Sequence, residues 1–115
     1  MDTRSKITTA AEATQRLAGR PARWISGGFD PLLAEHIRRI GKLAKSGQAL
    51  VIEVTNPPQP LLTQRARAEL VAALREVDYV VMADGGGASE SIDDADITTR
   101  FIAHVRERHA AENKA

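Results

Sequence analysis

Three short apolar runs, each bounded by glycine or proline and separated by stretches of helical period, constrain this chain more than any other feature. Ala22-Arg23-Trp24-Ile25-Ser26 follows Pro21 and stops at Gly27-Gly28. Ala49-Leu50-Val51-Ile52-Glu53-Val54-Thr55 is mostly apolar, the pattern of a strand covered on both faces. Asn56-Pro57-Pro58-Gln59-Pro60 cannot continue it, because prolines lack the donors that a ladder needs. Tyr79-Val80-Val81-Met82 is the third run. Between them, Leu33, Ile37, Ile40 and Ala44 keep the helical period, and Leu70, Val71 and Leu74 follow Thr63, which reads as a helix cap. Strands alternating with helices require right-handed crossovers and a parallel sheet. The predicted class is α/β, in three α/β/α layers, with a short parallel sheet of about three strands.

The ends add helices. Thr9-Ala10-Ala11-Glu12 is a capping box, predicting a helix that stops near Gly19, so that residues 1–19 form an N-terminal helical extension. Ile97, Phe101 and Val105 share one face of a C-terminal helix predicted over 92–112, with Ser91 or Asp94 as its cap. The 115 residues predict one domain, with little room for a second. Aromatic residues are only 3%, so the core is built from Ala, Leu, Ile and Val. With no cysteine there is neither a disulfide scaffold nor a thiolate metal site. No apolar run approaches the roughly 20 residues that span a bilayer. The N-terminus has charges without the apolar stretch of a secretory signal, so a cytoplasmic protein with no membrane partner is expected.

The net charge of +1 hides an asymmetry: residues 1–48 carry nine bases and four acids, residues 49–115 seven bases and eleven acids. A clustered basic face interleaved with aromatics is missing, so no nucleic-acid partner is expected. Among weaker candidates, Gly85-Gly86-Gly87 lacks the spacing of a phosphate loop and reads as a turn. Asp93, Asp94 and Asp96 lack the Gly and Glu of a calcium loop, and His104 and His109 are five apart rather than four; no metal site is expected. Arg65 and Arg67 face either a phosphate or solvent.

The sharpest candidate is the turn after the first run. In parallel sheets, ligands sit beyond the carboxyl ends of the strands. Gly27-Gly28-Phe29-Asp30-Pro31 leads from such an end toward a helix, where glycines admit a ligand and free N–H groups favour an anion. Asp30 is expected to cap that helix, with Pro31 at its first position.

From Ser26 to His36 the chain resembles the start of the cytidylyltransferase-like nucleotidyltransferases, which read Gly-x-Phe-Asp-x-x-His-x-Gly-His there. The subgroup that it most resembles is the heptose 1-phosphate adenylyltransferase domain. Those proteins have a capped helix before the first strand and continue like Arg67-Ala68-Glu69-Leu70-Val71-Ala72-Ala73-Leu74-Arg75-Glu76-Val77-Asp78-Tyr79-Val80-Val81. The resemblance covers roughly residues 7–82 and implies half of a Rossmann-like nucleotidyltransferase fold. It also implies a nucleotide- and phosphate-binding set of Gly27, Gly28, Phe29, Asp30 and Arg67, with His36 as the catalytic residue. A Mg-nucleotide, ATP or CTP, and a phosphorylated small molecule would be its ligands.

This sequence departs from the family where chemistry is done. Leu33 stands at the first histidine and Glu35 at the glycine. A carboxylate about 4 Å from a phosphate costs on the order of 4 kcal/mol at an effective dielectric of 20. His36 also lies beside an apolar stripe, where a structural role competes with a functional one. The proline loop after the second run offers no base, and the family's later nucleotide-gripping motif is missing. The expectation is a divergent, catalytically impaired member acting as a binding or interaction module with at most a weak phosphate site. The alternative is an active enzyme transferring an adenylyl or cytidylyl group and releasing pyrophosphate. Residues 22–26 are expected on an open sheet edge, inviting a homodimer.

Overall fold

A computed structural model describes residues 2–44, 47–83 and 90–92 of the chain. A 3-10 turn at Thr3–Lys6 leads into strand β1 (Ile7–Thr8) and helix α1 (Ala10–Leu17). Strand β2 (Ala22–Gly27), helix α2 (Ala34–Ala44), strand β3 (Ala49–Val54), helix α3 (Gln64–Ala72) and strand β4 (Tyr79–Met82) follow. Strand β5 (Glu90–Ser91) is the last element of the described chain. The strands form one parallel sheet in the order β1-β4-β3-β2-β5, an α/β fold of Rossmann-like type.

The three predicted strands are present, and two of only two residues are added. Beyond the capped helix expected over 1–19, that segment contributes β1, which pairs Ile7 with Val80 and Thr8 with Val81. So brief a run has no period to read. At the other flank, β5 pairs Ile25 with Glu90 and Ser26 with Ser91. The expected open edge at β2 is therefore incorrect over Ile25 and Ser26, while residues 22–24 have no strand partner on that side among the described residues. Ser91 is a strand residue rather than a helix cap. The Gly85-Gly86-Gly87 turn, Asp93, Asp94, Asp96, His104, His109 and, apart from Ile92, the expected helix over 92–112 lie outside the described residues.

Strand alternation divides the core between the two faces of the sheet. Ile25, Leu50, Ile52, Val54 and Val80 point one way and meet Ile40 of α2 and Ala68, Val71 and Ala72 of α3. Val51 and Val81 point the other way, with Trp24 and Tyr79, and meet Ala13 and Leu17 of α1. Thr9 caps α1 by accepting from the Glu12 N–H at 3.1 Å, as the capping box requires. Thr63 does the same for α3 through Ala66.

The Val-Asp pair before β4 has a mechanical role. The Asp78 N–H donates to the Leu50 carbonyl at 2.9 Å, and the Leu50 N–H donates to Asp78 Oδ2 at 2.8 Å. This reciprocal clasp joins the N-terminal ends of β3 and β4.

Candidate functional site

From β2 the chain proceeds through β3 to β4 in one direction, while β5 lies on the other side of β2. The end of β2 is thus the point where strand order reverses, the place where open parallel sheets bind ligands. The glycine turn stands there.

Gly27 closes β2 with no room for a side chain. A Cβ on it would lie 2.7 Å from Phe29 Cζ and 2.8 Å from Ile92 Cγ2. Phe29 is wholly buried beneath the strand end, with a φ of 52° in the left-handed region. Such a conformation costs a non-glycine residue on the order of 1–3 kcal/mol, so burial of the ring must hold it there. His36 meets the Phe29 ring edge-on, with centroids 5.4 Å apart and planes at 70°.

Asp30 does not cap α2, which corrects the expectation. The helix starts three residues later, and Leu33 occupies the cap position, its carbonyl accepting from the Ile37 N–H. His36 supplies the return half of a capping box: its Nδ1 accepts from the Leu33 N–H at 2.9 Å. A neutral ring with Nδ1 as acceptor carries its hydrogen on Nε2. Asp30 instead reaches across to the chain before α3. Its carboxylate accepts from Leu61 N–H at 2.6 Å and from Leu62 N–H at 2.9 Å, donors in a proline-broken loop that no ladder can satisfy.

Arg67 faces neither solvent nor an open phosphate position. It is 0% exposed on α3 and donates four hydrogen bonds, to Gly28 O at 2.8 Å, Thr55 O, Leu62 O at 3.1 Å and Asn56 Oδ1 at 2.8 Å. Three loop segments are drawn onto one guanidinium, whose partners are all uncharged oxygens. Gln64 acts similarly one turn earlier, its amide donating to Val54 O at 3.0 Å and Ala83 O at 2.9 Å. The exits of β2, β3 and β4 are thereby fixed by α3. Sequence reasoning missed Gln64 and Asn56; the signal was a polar residue directly after a cap and another at a strand exit.

Glu35 is engaged by basic neighbours on its own helix. Its carboxylate pairs with Arg38 at 2.9 Å and with Arg39 at 3.4 Å. The Arg38 guanidinium holds the Glu35 carboxyl below the ordinary glutamate range, with Arg39 adding to it. The repulsion expected from Glu35 is offset, since two cations accompany one anion on the first turns of α2. The structure thus brings Gly27, Gly28, Phe29, Asp30, His36 and Arg67 together around one turn.

A parallel sheet with this turn at its switch point defines the class: a Rossmann-like α/β domain. No protein-family profile matches the chain. It is 31% identical over 88 residues to the bifunctional protein HldE of Syntrophotalea carbinolica, covering 69% of this chain and 18% of that protein. It is 35% identical over 91 residues to the bifunctional protein HldE of Magnetococcus marinus, covering 67% of this chain and 19% of that one. The chain belongs with the cytidylyltransferase-like nucleotidyltransferases, related to the C-terminal part of HldE. It spans about a fifth of the length of these curated relatives. No helix among the described residues is long and apolar enough to cross a membrane.

Proposed function

We propose that this chain is a phosphate- or nucleotide-binding module on a nucleotidyltransferase scaffold, with its chemistry reduced. The observation that carries this reading is the use made of the polar groups around the switch-point turn. Asp30 is tied to Leu61 and Leu62, Arg67 to four oxygens, and His36 Nδ1 to Leu33. They build a preorganised turn. Leu33, at the position of the family's first histidine, offers developing charge no side-chain donor, and its N–H already donates to His36 Nδ1. Losing one such donor typically costs about 10²–10³ in rate. In this reading the backbone of Gly27 and Gly28 receives the anion, while Arg67 and Asp30 act by holding that backbone in place.

A second reading, the active transferase, is favoured by the pairing of Glu35. With its charge met by Arg38 and Arg39, the first turns of α2 carry a surplus positive charge beside the turn.

One pair of measurements separates the readings. A ligand at ten times its dissociation constant stabilises by about 1.4 kcal/mol, which raises the melting temperature of a domain this size by roughly 5 °C. The binding module shows such a rise with Mg-ATP or Mg-CTP and no pyrophosphate release with heptose 1-phosphate. Robust release that His36→Ala abolishes establishes the enzyme instead. An unmoved melting temperature with both nucleotides refutes the nucleotide form of the proposal.

A further inference from the structure

At the end of the sheet opposite the glycine turn lies a groove of about 700 Å³, walled by the Thr3–Lys6 turn, α1, the chain after α3 and the start of β4. Lys6, Arg16 and Arg75 line it, beside Tyr79 and a single acid, Asp78. That acid is already engaged, because its Oδ2 accepts from the Leu50 N–H at 2.8 Å. Lys6 is anchored but not neutralised: its Nζ donates to the Leu74 carbonyl at 3.0 Å. The carboxylate paired with Arg16 is that of Glu12, 3.9 Å away, with both side chains about half exposed. The Arg16 guanidinium also lies 6.0 Å from the Tyr79 ring centroid. Arg75 is exposed and has neither ion pair nor hydrogen bond among the described residues. Arg4, on the same turn as Lys6, is neutralised by Asp2 at 2.9 Å.

Three cations from three separate segments therefore converge on one concavity, against a single carboxylate among the described residues, that of Asp78. We infer that this groove is a second ligand site, for a small molecule carrying a phosphate group. Lys6, Arg16 and Arg75 take the phosphate oxygens, to which charge-assisted hydrogen bonds are strongest. Ala73 and the Tyr79 ring offer the organic part an apolar wall. The volume lies within the range of small-molecule sites, about 300–1,000 Å³. The groove shares no residue with the glycine turn and stands independently of the function proposed there.

The test is an amide NMR titration of the full chain with two probes, inorganic phosphate and AMP without magnesium. Saturable shifts at Lys6, Arg16, Arg75 and Tyr79 are expected, with AMP binding more tightly than phosphate. Arg75→Gln or Arg16→Gln weakens AMP binding about tenfold, the loss expected for one charged contact. Arg75 is exposed and unpaired, so Arg75→Gln leaves the melting temperature unchanged and its effect reports on binding. Shifts confined to residues 27–33, shifts that never saturate, equal affinity for the two probes, or unaltered AMP affinity in both variants would each overturn the proposal.

Discussion

Replacing Arg67 with Met tests the role of the buried guanidinium most directly. The substitution keeps an unbranched side chain of similar reach and removes every donor. Four acceptors lose their partner: Gly28 O, which is buried, and Thr55 O, Leu62 O and Asn56 Oδ1, which lie in partly accessible loops. An acceptor left unsatisfied in the interior costs about 1–3 kcal/mol, and one that water can reach costs much less. Taking Gly28 O in full and the others in part gives about 3 kcal/mol, a large fraction of the 5–15 kcal/mol that typically stabilises a domain. Removing a buried charge also relieves its desolvation, which keeps the sum from rising further. With a urea slope of about 1.5 kcal/mol per molar, the midpoint should fall by about 2 M, followed by circular dichroism. Arg67→Lys should recover only part of the loss, since an ammonium lacks the planar fork that reaches both loops at once. A midpoint lowered by less than about 0.5 M in Arg67→Met would refute the latch, because the freed carbonyls would then have found water at no cost.

Gly27→Ala should destabilise by about 1–3 kcal/mol through overpacking, because the new methyl meets Phe29 and Ile92 at under 3 Å; an unchanged melt would show that Phe29 can move aside. Asp30→Asn keeps the size of the side chain but halves its accepting oxygens, so a loss of about 1–2 kcal/mol in denaturant melts is expected, with faster amide exchange at Leu61 or Leu62. Helical content of α2 should be unaffected, whereas loss of its first turn would restore Asp30 to the cap. Glu35 titrates below its ordinary range when folded, so its pairing with Arg38 contributes fully above the unfolded glutamate pKa of about 4.3 and fades as pH falls through the lower folded value. The melting-temperature difference between wild type and Glu35→Gln should therefore be constant above about pH 5 and shrink toward pH 3, and a difference that grew on acidification would reverse the assignment.

The parallel sheet was readable because period and punctuation agreed. Apolar runs ended at Gly27 and Pro57, and Thr9 and Thr63 announced helix starts that the structure keeps. Strand β1 escaped because two residues hold no alternation, and its partner β4 lies over seventy positions away. The glycine turn was found, but the partners of its polar residues were not. Asp30 looked like a cap because a carboxylate before proline is locally suited to that role. The donors that claim it sit thirty-one and thirty-two positions further on. Arg67 was read as a ligand or surface group since charge rarely enters a core; four loop oxygens converging on one point make its burial tolerable, and no local pattern encodes that convergence.

The clasp between Asp78 and Leu50 has a consequence at a distance. Each residue of a strand advances the chain by about 3.3 Å, so β3 carries its exit at Val54 about 13 Å from that clasp. A slip of one residue between β3 and β4 would shift Ala83 by one such step relative to Val54, and Gln64 could no longer span both carbonyls. It would also turn Val81 from the α1 side of the sheet to the other. Alignment of the loops at the glycine-turn rim is therefore inherited from a carboxylate on the far rim. A substitution at Asp78 would present as a defect of a site that it never touches.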